Sequence, residues 1–144
     1  MKTNDLLATI PYLPAHQIEV TAETEGSVSA GMPFRREVTN LVGTVHAGAL
    51  YTLAETVAGV AANNLVSAGR AAPLLRQADV QYTRRAESNL MASAKIASEA
   101  AKQARSAFEK DRRADIGVDV TITDAGGEIV FVGNFDYALR EFKR

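Results

Sequence analysis

The chain has no cysteine, no tryptophan and only two histidines, His16 and His46. Without cysteine there is neither a disulfide nor a thiol nucleophile, and the redox compartment stays open. Two histidines cannot build a three-histidine zinc site, and no other metal-ligand spacing is present, so no metal and no other cofactor is expected. An excess of one charge is also missing. The 16 basic and 17 acidic side chains leave a net charge of −1, without the basic field that nucleic-acid binding requires. Met1 to Pro14 has too short an apolar run for a signal peptide, and a cytoplasmic enzyme or binding protein is the expectation. The stretch from His46 to Val66 approaches the length of a membrane span. It holds Glu55, Asn63 and Asn64, and its apolar content is mostly alanine and glycine, so a membrane role is not expected.

What remains is ordinary globular material. An apolar fraction of 47% over 144 residues is enough for a real core and one domain, residues 1–144. A short amphipathic piece, Asp5 to Ile10, ends at Pro11 and Pro14. Ile18, Val20 and Ala22 then alternate with polar residues, as in a half-buried strand, and Val28, Ala30, Met32 and Phe34 repeat the pattern beyond a turn at Gly26. From Thr44 or Val45 to about Ser67 the alternation stops, which predicts a helix of about 22 residues, roughly 33 Å long. It is apolar nearly all round and so must be buried on most sides; Ser67, Gly69 and Pro73 are expected to end it. Alternation returns at Ala78–Tyr82, Leu90–Ile96, Ile116–Ile122 and Ile129–Leu139. Between the second and third of these, Ser98 is expected to cap a short helix reaching Lys110, with Lys102, Arg105 and Lys110 on a solvated face. A hairpin, one long buried helix and four strands predict an α+β fold with an antiparallel sheet.

Glu55 is the residue that composition leaves unexplained. It stands on the long helix among Leu53, Ala54, Val57, Ala58, Val60 and Ala61, and burying an ionised carboxylate without partners is costly. The start of the same helix offers complementary chemistry. Free backbone N–H groups and a partial positive charge at Ala47 and Gly48 would polarise a carbonyl. The nine residues from His46 to Glu55 turn about 180° and rise roughly 13.5 Å. Glu55 therefore cannot meet the start of its own helix, and a site using both would need a second chain.

The lead-in Asn40-x-x-Gly43-x-x-His46-Ala47-Gly48, followed by Leu53-Ala54-Glu55, resembles the PaaI-type acyl-CoA thioesterases of the hotdog fold, in which an antiparallel sheet wraps one long helix. Their pattern is an Asn, a Gly, His-Gly-Gly, then Leu-Ala-Asp or Leu-Ala-Glu. Ala47 stands where the first Gly of the pair is usual, and Glu55 where Asp is commoner. Tyr82-Thr83-Arg84-Arg85-Ala86 is similar to the strand end that often follows in the family. Some relatives carry a water-positioning hydroxyl on the strand after the helix; here Leu75 and Arg76 are near that place.

The resemblance implies hydrolysis of an acyl or aryl thioester of coenzyme A, with sites across the interface of a homodimer or a dimer of dimers. Glu55 would be the base or nucleophile, Asn40 would orient water or the acyl group, and His46 would brace the loop. Thr56 would hold the carboxylate or the acyl end, while Arg84 and Arg85 would meet coenzyme A phosphates through their guanidinium forks.

Plainer readings stand beside these. Glu55 as a structural carboxylate at a dimer seam, Asn40 as a turn-closing residue, His46 as a helix cap, and Arg84 with Arg85 as a charged strand end are all consistent with the sequence. Tyr82, Tyr137, Phe131 and Phe135 read as core packing. A hotdog module that binds an acyl-CoA or fatty-acyl ligand without turnover is the alternative of another class. A dehydratase ranks last, because its histidine and acid follow a different, proline-rich spacing.

Overall fold

The computed structural model describes residues 1–66 and 70–142. A short helix α1 (Thr3–Ala8) and a 3₁₀ turn (Pro14–His16) lead into the hairpin of β1 (Glu19–Thr24) and β2 (Ser27–Met32). The long helix α2 (Ala47–Asn63) follows, and then β3 (Ala71–Tyr82), β4 (Leu90–Lys95), α3 (Ser98–Asp111), β5 (Arg113–Thr123) and β6 (Ile129–Glu141). The strands form one antiparallel sheet in the order β1-β2-β4-β5-β6-β3. Helix α2 packs against β2, β3, β4, β5 and β6, so the sheet curves around it as the resemblance implies. Leu53, Ala54, Val57 and Ala58 of α2 have no exposed surface, and neither do Val118, Ile122, Phe131, Phe135 and Leu139 opposite them.

The periodicities located the six strands and helices α2 and α3 but not the 3₁₀ turn, and tertiary contacts moved several boundaries, β3 beginning at Ala71 rather than Ala78. Helix α2 spans 17 residues, shorter than expected at both ends. At its start, Thr39 and Val45 form an isolated β-bridge and the Val45 amide donates to the Ala86 carbonyl (2.8 Å), so Val45 is bridged rather than helical and Thr44 lies in the bend before it. Asn64 closes the other end; Ser67 and Gly69, expected among the stopping residues, lie outside the described residues. Pro73 does not end the helix but sits inside β3, opposite Leu139. Proline is tolerated there because β3 is an edge strand, where the missing N–H breaks no ladder.

In β1 only Val20 is buried; a bulge between Val20 and Ala22 turns Ala22 outward, against the expected alternation. Phe34 lies past the end of β2 and still packs against the core. His16 belongs to the 3₁₀ turn, with its ring 5.2 Å from that of Tyr12. Alternation is cleanest in β5, where every second residue from Ala114 to Ile122 is buried. The inserted α3 buries Ala101, Ala104 and Phe108 against β5. Its cap position is Ala97 rather than Ser98, and no side chain caps it. Lys102 and Lys110 are exposed as expected, while Arg105 pairs with Glu25.

Candidate active site

The loop before α2 satisfies its own polar groups. The Asn40 side-chain oxygen accepts the amides of Val42 and Thr44 (both 3.1 Å), and its Nδ2 donates to Thr44 Oγ1 (2.8 Å). Gly43 takes the left-handed φ of +80° that closes this turn. His46 occupies the cap position, where its Nδ1 accepts the Gly48 amide at 2.8 Å. Of the two amides expected to polarise a carbonyl, Gly48's is thus engaged within the chain. Ala47, the first helical residue, is exposed, and its amide has no partner among the described residues. Tyr82 Oη donates to the Ala47 carbonyl (3.2 Å), and the Tyr82 ring stands edge-on to Phe131. Tyr82 is 47% exposed, so it is not the core residue its alternation suggested.

Two turns on, α2 offers a different environment. Glu55 is half-buried rather than deeply buried, and it faces a cavity of about 380 Å³. Thr56 and Gly59 share this wall, and Leu6, Leu7 and Ile10 face them. Tyr137 Oη, projecting from β6, lies 3.0 Å from both the backbone oxygen and Oε1 of Glu55, donating to this pair of acceptors. Tyr137 is only 1% exposed. Burial, reinforced by the charge and hydrogen bond of Glu55, holds its hydroxyl far above the usual tyrosine range, so it stays a proton donor. Burial first, and Glu55 second, raises Tyr51 as well.

Tyr137 is the neighbour of Glu55 that sequence reasoning missed. The available signal was chemical: a tyrosine buried in an apolar alternation needs a hydrogen-bond partner. Thr56 is buried and lines the cavity, but its hydroxyl donates to the Thr52 carbonyl (2.6 Å) of its own helix and not to Glu55. Asn40, His46, Ala47 and Gly48 are absent from the lining of this cavity. Arg84 and Arg85 are exposed and lie at the helix start, just before the Ala86 carbonyl that receives the Val45 amide. Arg84 pairs with Glu128 at 3.2 Å. Among the described residues, no three or more His, Cys, Asp or Glu side chains gather as a metal site, and no helix is long and apolar enough to cross a membrane.

A family described as a domain of unknown function, DUF4442, matches residues 4–139. The chain belongs to DUF4442. Solved structures resemble this DUF4442 chain over nearly its whole length. A probable thioesterase of Pseudomonas aeruginosa is 24% identical with a TM-score of 0.77, the match covering 88% of this chain and 85% of that one. A thioesterase of Haemophilus influenzae is 16% identical with a TM-score of 0.80, covering 100% and 94%. The PaaI protein of the Escherichia coli phenylacetic acid degradation operon is 15% identical with a TM-score of 0.74, covering 97% and 90%. At these identities the likeness establishes the hotdog fold. No curated protein sequence matches the chain.

Proposed function

We propose that this DUF4442 protein hydrolyses acyl-CoA thioesters, with Glu55 as the base or nucleophile and the site shared between two copies of the chain. The observation that carries this reading is Glu55 itself: a carboxylate at the edge of an apolar cavity, held on one oxygen by Tyr137. In the general-base form, the carboxylate takes a proton from water as the water oxygen bonds to the thioester carbonyl. The resulting oxyanion is stabilised by the Ala47 amide of a second copy. Collapse expels the coenzyme A thiolate, and the proton held by Glu55 returns to the sulfur. In the nucleophilic form the carboxylate attacks the carbonyl and expels the coenzyme A thiolate; water then hydrolyses the anhydride to the free acid and the Glu55 carboxylate, and the proton released balances the thiolate.

Two features support a shared site. Ala47 and Glu55 are eight residues apart on one rigid helix, about 12 Å along its axis. The second is β3: its 12 residues pair with β6 on one side and with no strand on the other among the described residues, and it exposes Leu74 and Tyr82. Long unpaired edges of this kind invite pairing with a second copy, which supports a homodimer or a dimer of dimers. Asn40 would then present the N–H it does not donate to Thr44, and Arg84 with Arg85 would receive coenzyme A phosphates near the helix start.

One observation favours the alternative of a binding module without turnover: His46 already holds the Gly48 amide, leaving one open donor at the helix start. Free-thiol release from a panel of acyl-CoAs separates the two. Hydrolysis is expected for the wild type, with a loss of at least about 100-fold in kcat for a folded Glu55→Ala protein. Saturable binding with no thiol release from either protein would establish the binding module instead.

A further inference from the structure

The cavity beside Glu55 is roofed by the chain's own amino-terminal segment. Leu6 and Leu7 of α1 and Ile10 just beyond it face α2 across the space. This roof is tied down at both ends. Tyr12 Oη shares a hydrogen bond with Thr52 Oγ1 (3.1 Å), one turn before Glu55. At the other end a single oxygen of Glu23 accepts from Thr3 Oγ1 (2.9 Å) and from Asn64 Nδ2 (3.0 Å), joining the start of α1 to the end of α2. Asn4 exchanges two further hydrogen bonds with the Val20 backbone (2.8 and 3.0 Å). A segment anchored this way is a wall of the cavity and not a passing loop.

The floor is the α2 stripe of Glu55, Gly59 and Asn63, each one turn apart. Gly59 needs no unusual backbone angle, and a Cβ there would meet Tyr137 Oη at 3.5 Å, an ordinary contact. What its missing side chain provides is room, one turn beyond the carboxylate. From Glu55 to Asn63 the floor runs about 12 Å. Its lining is mainly aliphatic, with Tyr12, Thr56 and Tyr137 among it, up to the polar end at Asn63 and Asn64, where a longer apolar chain would strip water from two amides.

We propose that the Leu6–Leu7–Ile10 roof over the Gly59 floor is the acyl compartment of the Glu55 site, taking aliphatic acyl groups of medium length in preference to long-chain ones. The assignment rests on the thioesterase reading for its chemistry, but on the shape and lining of the cavity for its preference.

The test combines two measurements over the same CoA thioesters, from butanoyl to palmitoyl. One is wild-type hydrolysis; the other is calorimetric binding to Glu55→Ala. Octanoyl- or decanoyl-CoA is expected to lead in both. Gly59→Leu should lower the decanoyl-to-butanoyl ratio by about tenfold or more, since one methylene of lost space is worth that much in a hydrophobic pocket. Ile10→Ala, at a residue already 40% exposed, should shift the optimum to longer chains, and it decides the matter if Gly59→Leu fails to fold. A long-chain preference, or chain-length profiles unmoved by folded variants, overturns the compartment and leaves hydrolysis standing. A medium-chain preference in binding with no wild-type turnover upholds the compartment and overturns the thioesterase reading. Neither binding nor turnover overturns both.

Discussion

The first turn of α2 and its middle turns belong to one helix, yet their polar groups have opposite fates. At the start, Asn40, Thr44, His46 and Gly48 bond chiefly to one another; among the described residues, the Ala47 backbone amide and one Asn40 side-chain N–H remain open. In the middle, Glu55 has one fixed partner, Tyr137, and otherwise looks into an apolar cavity. The start is a braced support holding one open backbone amide; the middle is a carboxylate with room beside it. Acyl transfer needs both an oxyanion donor and a base, and a straight helix keeps these two apart. The difference is what the proposed shared site requires: a donor from one copy of the chain facing a carboxylate from another.

The sharpest way to break that comparison is to damage each half separately. Ala47→Pro removes the open amide with the residue that a first helical position tolerates best, since His46 before it is already extended. Loss of one such donor should lower kcat on the order of 100-fold or more with the fold intact. Mixing Ala47→Pro with Glu55→Ala subunits should then restore about a quarter of wild-type activity, because half of randomly assorted dimers regain one of two sites. A mixture as inactive as its parents would place both half-sites in the same chain.

Tyr137→Phe probes the middle turns alone. It should cost about 1 kcal/mol in stability by removing a buried hydrogen bond, and it should lower turnover by freeing Glu55. It also carries a pH signature. Because folding raises the Tyr137 pKa, its contribution is complete below the unfolded tyrosine value of about 10 and is lost progressively as pH climbs from there toward the raised folded value. Wild-type melting temperature should therefore fall in alkali more steeply than that of Tyr137→Phe, and parallel curves would count against the assignment.

The start of the helix should respond differently. His46→Ala removes a cap, with an expected loss of about 1 kcal/mol and a melting temperature lower by a few degrees. Its activity should change less than that of Ala47→Pro, because the Gly48 amide is released rather than removed. A larger loss would make His46 a participant in the chemistry. Smallest of all is Arg84→Ala. Its pair with Glu128 is exposed, so stability should move by less than about 0.5 kcal/mol in a thermal melt. A raised KM for acyl-CoA at unchanged kcat would connect it to coenzyme A binding.

Much of this was legible in the chain. Alternation in β5 and β6 and its interruption across α2 follow from local geometry, because strand and helix periods are properties of the backbone. The misplacements share a cause. Thr44 and Val45 left the helix because Val45 bonds to Ala86, and Pro73 entered a strand because that strand lies at an edge; both depend on partners distant in sequence. Tyr137 illustrates the point most fully. Its alternation correctly predicted burial, but its hydroxyl meets Glu55 across 82 positions of chain.

By itself the sequence determined the α+β class, the buried central helix, the isolated carboxylate on it and the separation of that carboxylate from the helix start, since each follows from residue type and helical rise. Only the tertiary structure decided that Glu55 is half-buried and held by Tyr137, and that the amino-terminal segment roofs an apolar cavity. Those are contacts between distant segments, fixed by how the sheet curves around the helix and by no local preference of the residues that make them.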